Sequence, residues 1–216
     1  MTTFENQQPE QPEYSDPIHA SNLDVVCEKN ASPEIQNLYQ QFREDFGRPQ
    51  VPGILQCFAT HPPLLTHMMG LAKSMLFVDG ALGRRHKEMI SAFVSALNRC
   101  NYCADSHAYS FRMQGGSALA MGALLACNPA SNSVTAEERT LLQFVKKITE
   151  ESRSVGPSDT GAMRAAGWTD LQIAETIHVT ALFAAFNRVV NAFGLPSQEL
   201  LKQFEQSREE HGAALA

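Results

Sequence analysis

The chain has 216 residues, enough for one domain or for one domain with a tail. Apolar residues make up 44 %, which supports a sizeable core and excludes global disorder. Charged residues are only 19 %, which points to extra buried surface such as a subunit interface. A net charge of −6 excludes the dense basic surface that nucleic acid binding needs, so no nucleic acid partner is expected.

Residues 1–31 are rich in Gln, Glu, Pro and Asn. Such a segment buries too little apolar surface to offset its ordering entropy, and it reads as a polar tail or a loosely draped arm. It has neither a basic start nor an apolar stretch, so no secretory signal is expected and the cytoplasm is the default location. The longest apolar runs, Ala118–Cys127 and Val179–Phe186, fall short of the ~20 residues a bilayer crossing takes, so no membrane span is expected. Five cysteines, an odd number, do not resemble an extracellular disulfide framework.

From residue 32 the chain reads as helices. Ser32-Pro33-Glu34 is a helix start, followed by Ile35, Leu38, Tyr39, Phe42 and Phe46 at helical spacing and stopped by Gly47. A short helix is expected over Ile54–Ala59. His61-Pro62-Pro63 opens another, which carries Leu64, Leu65, Met68, Met69 and Met75 as core or interface packing. Helices over Arg85–Asn98, Tyr102–Met113 and Ser117–Cys127 follow, punctuated by Gly115-Gly116 and Asn128-Pro129. Thr135-Ala136-Glu137-Glu138 matches a capping box that opens a helix through Glu151. A short helix over Ser158–Ala166, a long one over Asp170–Phe193 capped by Thr169, and a final exposed helix over Ser197–Glu209 complete the chain. Alternating Val/Ile/Thr runs are missing, so the fold class is all-α: a compact helical bundle over 32–196, with a C-terminal helix and tail over 197–216. A faint echo links Ser95–Arg99 with Ala184–Arg188, each following a glutamate, Glu88 and Glu175.

The chemistry-bearing stretch is Glu88, Cys100, Cys103 and His107, an E-x11-C-x2-C-x3-H pattern. If the chain turns over 98–101, Cys103 lies in the first turn of the next helix with His107 on the same face. A helix N-terminus and a nearby imidazole both favour thiolate over thiol. Cys100 lies on the lip of that turn, within disulfide reach of Cys103, so the pair forms a dithiol able to cycle. On one continuous helix Glu88 and Cys100 would be ~18 Å apart. Only a helical hairpin brings Glu88 within one turn of His107, where a carboxylate can orient the imidazole.

These four residues and their flanks, HKEMISAFVSALNRCNYCADSHAYSFRMQGG, resemble the alkylhydroperoxidase D-like, carboxymuconolactone decarboxylase-like family. VPGILQCFATHPPLL and AGWTDLQIAETIHVTALFAAFNRVVNAFGLP are similar to its peroxidase-related branch, and the resemblance covers roughly residues 50–196. It implies an all-helical, homo-oligomeric subunit and a thiol peroxidase or disulfide oxidoreductase acting on a hydroperoxide or a protein disulfide. Cys103 would be the peroxide-attacking sulfur, Cys100 the resolving one, and Glu88 and His107 the proton relay. The resemblance also implies a Cys100–Cys103 redox disulfide. Where family members carry a second histidine just before the second cysteine, this chain has Tyr102, a candidate auxiliary residue. No bound cofactor is expected, since no G-x-G-x-x-G follows a strand. The reductant would be an external dihydrolipoyl group, thioredoxin-like protein or small thiol.

Two other classes stay open. One is a carboxymuconolactone decarboxylase-like lyase with His107 as acid and base. The other is a zinc-stabilised module using Cys100, Cys103 and His107, although no second Cys/His pair follows at zinc-finger spacing, and no metal site is expected. Cys27, Cys57 and Cys127 read as structural or tail thiols. His178 reads as a hydrogen-bonded core histidine, and His61 and His67 as solvated or interface residues. Trp168 reads as a plug for a subunit gap, and Asn187-Arg188 as a polar pair whose arginine needs a carboxylate.

Overall fold

The computed structural model describes residues 22–213, with side chains through Arg208. Ten α-helices follow one another: α1 (Pro33–Phe46), α2 (Gly53–Phe58), α3 (Pro62–Met75), α4 (Arg84–Leu97), α5 (Asn101–Met113), α6 (Ala118–Leu125), α7 (Ala136–Glu151), α8 (Pro157–Ala165), α9 (Asp170–Phe193) and α10 (Leu200–Ala213). No strand occurs among the described residues. The caps are those the sequence announces. Ser32 caps α1, Thr135 closes a capping box with Glu138, Thr169 does the same with Gln172, and Gly47 and Gly194 end their helices in the left-handed region.

Helix α4 is the axis of the fold. Every residue from Lys87 to Ser95 is buried, and α5, α6, α7 and α9 pack around it. Small hydroxyl residues mark where α4 and α9 lie close. Ser91 and Ser95 donate to the carbonyls of Lys87 and Ser91, and Thr176 and Thr180 to those of Gln172 and Thr176. Each hydroxyl is satisfied within its own helix, so it is buried without an orphaned donor. A second cluster joins α1, α2 and α3 to α9 through Tyr39, Phe42, Phe58, Leu65 and Phe186. The echoing segments lie on neighbouring elements, and Asn98 Nδ2 donates to Asn187 Oδ1 at 3.0 Å.

Helix α9 is longer and more apolar than its single apolar run suggests. By length and composition it could cross a bilayer, yet 44 % of its most apolar window is buried inside the fold. The isolated apolar run is short, but Ile173, Val179, Leu182, Phe183, Phe186 and Val190 continue one inward face over nearly five turns. That makes α9 a core helix.

Both ends of the described chain are more ordered than a loose tail. The expectation for residues 1–21 lies outside the described residues. Residues 22–31 pack against the bundle. Asn22 N donates to Phe193 O at 2.6 Å, Val26 N to Gln56 O at 3.2 Å, and Tyr39 Oη to Val26 O at 2.5 Å. Val25 and Ala31 are buried, the first within the short apolar stretch Val25-Val26-Cys27 at the end of a polar segment. Helix α10, expected as exposed, docks on α5 instead. Asp105 accepts the backbone N–H of Leu200 and Leu201, Arg112 Nε donates to Glu205 at 2.6 Å, and Phe204 lies edge-on to Tyr109. Residues 214–216 lie outside the described residues.

Candidate active site

The hairpin of α4 and α5 builds the site. Arg99 adopts a left-handed conformation (φ 54°), and Cys100 N donates to Ser95 O, so the chain reverses within three residues. Cys100 becomes the N-cap of α5 and Cys103 falls in its first turn. Their sulfurs lie 2.7 Å apart. Both are buried, but Cys103 borders a cavity that Cys100 does not reach.

The charge of this pair is not placed where the helix N-terminus argument alone would put it. The Cys103 thiol hydrogen-bonds the Cys100 sulfur and favours the Cys100 thiolate. Burial opposes this, while the Cys103 backbone N–H and the Asn187 carboxamide assist it, and the Cys100 thiol is held below its ordinary value. The same sulfur–sulfur bond, with burial and the Cys100 charge, pushes the Cys103 thiol up. Asn187 is itself fixed, since it is fully buried, accepts from Asn98 and donates to Ser95 Oγ at 3.0 Å.

One turn along α5, His107 Nδ1 meets Glu88 Oε2 at 2.6 Å. Glu88 has no exposed surface, and Arg84 Nε donates to its other oxygen at 2.8 Å. Burial alone would raise the Glu88 carboxyl, but His107 and Arg84 outweigh it and hold it below the usual carboxylate range. With Nδ1 taken by the carboxylate, the imidazole has Nε2 left for other chemistry. Phe183 stands edge-on to the ring at 4.5 Å and fixes its plane. Arg84 is not among the residues singled out from the sequence. Its signal is an arginine four residues before Glu88 on a helix.

Cys103 and His107 open onto a cavity of about 150 Å³. Its wall is mainly aromatic and aliphatic, with Phe46, Phe58, Phe77, Phe183, Phe186 and Met69 prominent. Polar groups are few: Arg48, Gln50, Ser106, Tyr109, Ser110 and Gln198. Burial pushes the Tyr109 hydroxyl up, with Arg48 opposing. Tyr102 also borders the cavity and packs beside Gly53, where an added Cβ would meet Leu195 at 3.0 Å and the Tyr102 hydroxyl at 3.4 Å. A side chain at residue 53 would therefore press on the wall next to the sulfur pair. Among the described residues no three His, Cys, Asp or Glu side chains converge as a metal-binding group.

Residues 62–147, the segment that carries this hairpin, match the carboxymuconolactone decarboxylase family. The structure superposes on that of an uncharacterized peroxidase-related protein from Silicibacter sp. TM1040 with a TM-score of 0.73 and 25 % identity, covering 84 % of this chain and 94 % of that one. The alkylhydroperoxidase AhpD core of a peroxidase-related protein from Ralstonia eutropha JMP134 superposes with a TM-score of 0.74 at 24 % identity, over 86 % and 96 % of the two chains. The chain is similar to the carboxymuconolactone decarboxylase family over residues 62–147 and has an alkylhydroperoxidase D-like fold. An alkyl hydroperoxide reductase of Mycobacterium tuberculosis is 28 % identical over 116 residues, 54 % of this chain and 33 % of that protein. The chain thus spans about a third of the length of that curated relative. Within this alkylhydroperoxidase D-like fold the hairpin residues line up as one array: sulfur pair, imidazole, carboxylate, guanidinium.

Other sequence-flagged residues lie elsewhere. His178 is exposed on α9, not buried, because its helical position falls on the face opposite Val179 and Phe183. His61 and His67 are exposed. Trp168 plugs the subunit's own core rather than a gap between subunits, with Nε1 donating to Glu137 O at 3.1 Å. Arg188 is exposed and donates to Ala184 O, so it needs no carboxylate. Cys57 is buried, and burial pushes its thiol up to about 12. Cys27 and Cys127 are half-buried free thiols.

Proposed function

We propose that this protein is a dithiol peroxidase. It reduces an organic hydroperoxide with Cys100 and Cys103 and is re-reduced by an external dithiol such as a dihydrolipoyl group or a thioredoxin-like protein. The reading rests on the sulfur pair, 2.7 Å apart at the start of α5, with its second sulfur on the cavity wall beside His107. The Cys103 thiol proton moves to the Cys100 thiolate as substrate arrives. Cys103 then attacks the terminal peroxide oxygen; an S–O bond forms and the O–O bond breaks. The leaving oxygen takes a proton through His107 Nε2 and departs as alcohol. Cys100, giving its proton back through the relay, attacks the Cys103 sulfenic acid; an S–S bond forms, the S–O bond breaks and hydroxide leaves, protonated to water. The sulfur pair loses two electrons and the peroxide gains two. Thiol–disulfide exchange with the external dithiol restores the pair.

Glu88 keeps His107 oriented and Arg84 keeps Glu88 charged, so both are positioning residues. The test is a thiol titration of the reduced protein before and after one equivalent of cumene hydroperoxide, with mass mapping of any bond formed. Loss of two thiols into a Cys100–Cys103 disulfide is expected. Two free thiols after exposure would sink the reading. The lyase alternative, kept in view by the family match, predicts that activity survives the double change Cys100→Ser, Cys103→Ser. We also propose self-association, supported by the low charged fraction and by the exposed Leu119 and Leu171, which are 78 % and 72 % accessible. Sedimentation at the monomer mass at micromolar concentration would refute it.

A further inference from the structure

The cavity beside Cys103 is far from uniform, and two of its polar groups, Gln198 and Arg48, belong to different levels of α5. Gln198 lies in the connection between α9 and α10. Its side chain is nine-tenths buried on the cavity wall, and neither its oxygen nor its nitrogen has a hydrogen-bond partner among the described residues. A buried donor and acceptor left unpaired carry a desolvation cost unless a ligand meets them. The segment is pinned nearby, because the N–H groups of Leu200 and Leu201 bond the Asp105 carboxylate at 2.9 and 3.0 Å. Asp105 is two residues from Cys103 on α5, and Gln198 and Cys103 border the same cavity.

Arg48 stands at the other level. Its guanidinium lies 5.6 Å from the Phe77 ring centre, borders the cavity, and acts electrostatically on Tyr109. No carboxylate pairs with it among the described residues. The neighbouring Arg84, also over Phe77, is by contrast neutralised by Glu88. Tyr109 follows Cys103 by six residues on α5, which is about 9 Å along the axis. Phenylalanine, methionine and leucine make up most of the remaining wall, with Ser106 and Ser110 of α5 among them. A cation at one end, an amide at the other and an apolar middle select an amphipathic molecule.

We propose that the cavity takes an apolar hydroperoxide bearing a carboxylate, an aryl or medium-chain alkyl body with its carboxylate on Arg48 and its peroxide end met by the Gln198 carboxamide. The amide N–H donates to one peroxide oxygen and the amide C=O accepts the terminal O–H, which presents the outer oxygen to Cys103. The peroxide half rests on the dithiol reading above; the carboxylate half does not.

The experiment compares cumene hydroperoxide with its para-carboxy derivative, using dithiothreitol as reductant. A second, chemistry-free arm measures binding of para-isopropylbenzoate and its neutral amide to the reduced protein by calorimetry. The carboxylated peroxide is expected to show a kcat/KM about tenfold higher, and para-isopropylbenzoate to bind about tenfold tighter than the amide. Arg48→Met brings both ratios close to one, while Arg48→Lys keeps most of each. Gln198→Leu lowers kcat/KM on both peroxides by about threefold or more and leaves their ratio unchanged. Equal turnover of the two peroxides with equal binding of the two probes overturns the inference while leaving the dithiol reading standing. Arg48-dependent binding without any peroxide turnover supports the carboxylate site and overturns the peroxide chemistry. A ratio that survives Arg48→Met overturns the assignment of Arg48.

Discussion

Two cysteines three residues apart share one proton, and their surroundings decide which sulfur holds the charge. Cys100 is favoured by the Cys103 thiol, the Cys103 N–H and Asn187, and Cys103 is disfavoured by the same bond and by burial. Absorbance at 240 nm, followed against pH in the reduced protein, is expected to show one thiolate forming below the ordinary ~8.5 of a free cysteine. Cys103→Ala removes the donor, and the step shifts upward; an unmoved step would contradict the shared-proton account. Glu88 presents the same logic in a carboxylate. It is fully buried and ties Arg84 to His107, so Glu88→Gln leaves a half-buried guanidinium unpaired. A loss of about 3–5 kcal/mol in urea unfolding is expected, with turnover falling too. The E-x11-C-x2-C-x3-H spacing by itself points to the Glu88–His107 meeting, since helical pitch fixes which residues of a hairpin lie level. The charge on Cys100 is not legible there, because it depends on Asn187, a residue eighty-seven positions away.

Among the helices, the start of α7 joins three local signals to one distant contact. Glu138 closes the capping box with Thr135, and it also accepts from Arg85 Nη1 at 2.5 Å and faces His86 at 3.5 Å on α4. His86 chiefly, against burial and with Arg85 and the Thr135 N–H, lowers the Glu138 carboxyl from 4.5 to about 2. The charged form is therefore bound more tightly in the folded than in the unfolded chain. That stabilisation is complete above the unfolded value and is lost as pH falls from 4.5 to about 2. Denaturant midpoints taken across this window should drop for the native chain and drop less steeply for Glu138→Gln; parallel curves would rule the linkage out. The capping box is readable from the four letters T-A-E-E alone. The α4 partners are not, since nothing in the sequence couples residues 85 and 138. The same difference explains why His178 is exposed and Trp168 buried, since both outcomes depend on how the helices pack against one another.

For the molecule as a whole, the segment before α1 is the clearest departure from expectation. Its apolar end fills the seam between α1, α2 and the end of α9, placing Val25 beside the cluster that holds Cys57, Cys100 and Cys103. A chain starting at residue 32 would uncover Val25's partners and leave Tyr39 without its carbonyl acceptor. A loss of about 2–3 kcal/mol is expected, which lowers the midpoint of thermal unfolding by roughly 4–12 °C. An unchanged midpoint would show that residues 22–31 contribute nothing to the fold.

Helix count, caps, the absence of strand patterning and the placement of the C-x-x-C on a hairpin were all determined by the sequence. These features come from interactions a few residues long: 3.6-residue periodicity, N-cap side chains, left-handed glycines. The docking of α10 and of residues 22–31, the placing of Gln198 and Arg48 on the cavity wall and the choice of sulfur belong to the folded molecule alone. Each depends on which distant surfaces are removed from water together, and burial and through-space charge have no fixed sequence spacing.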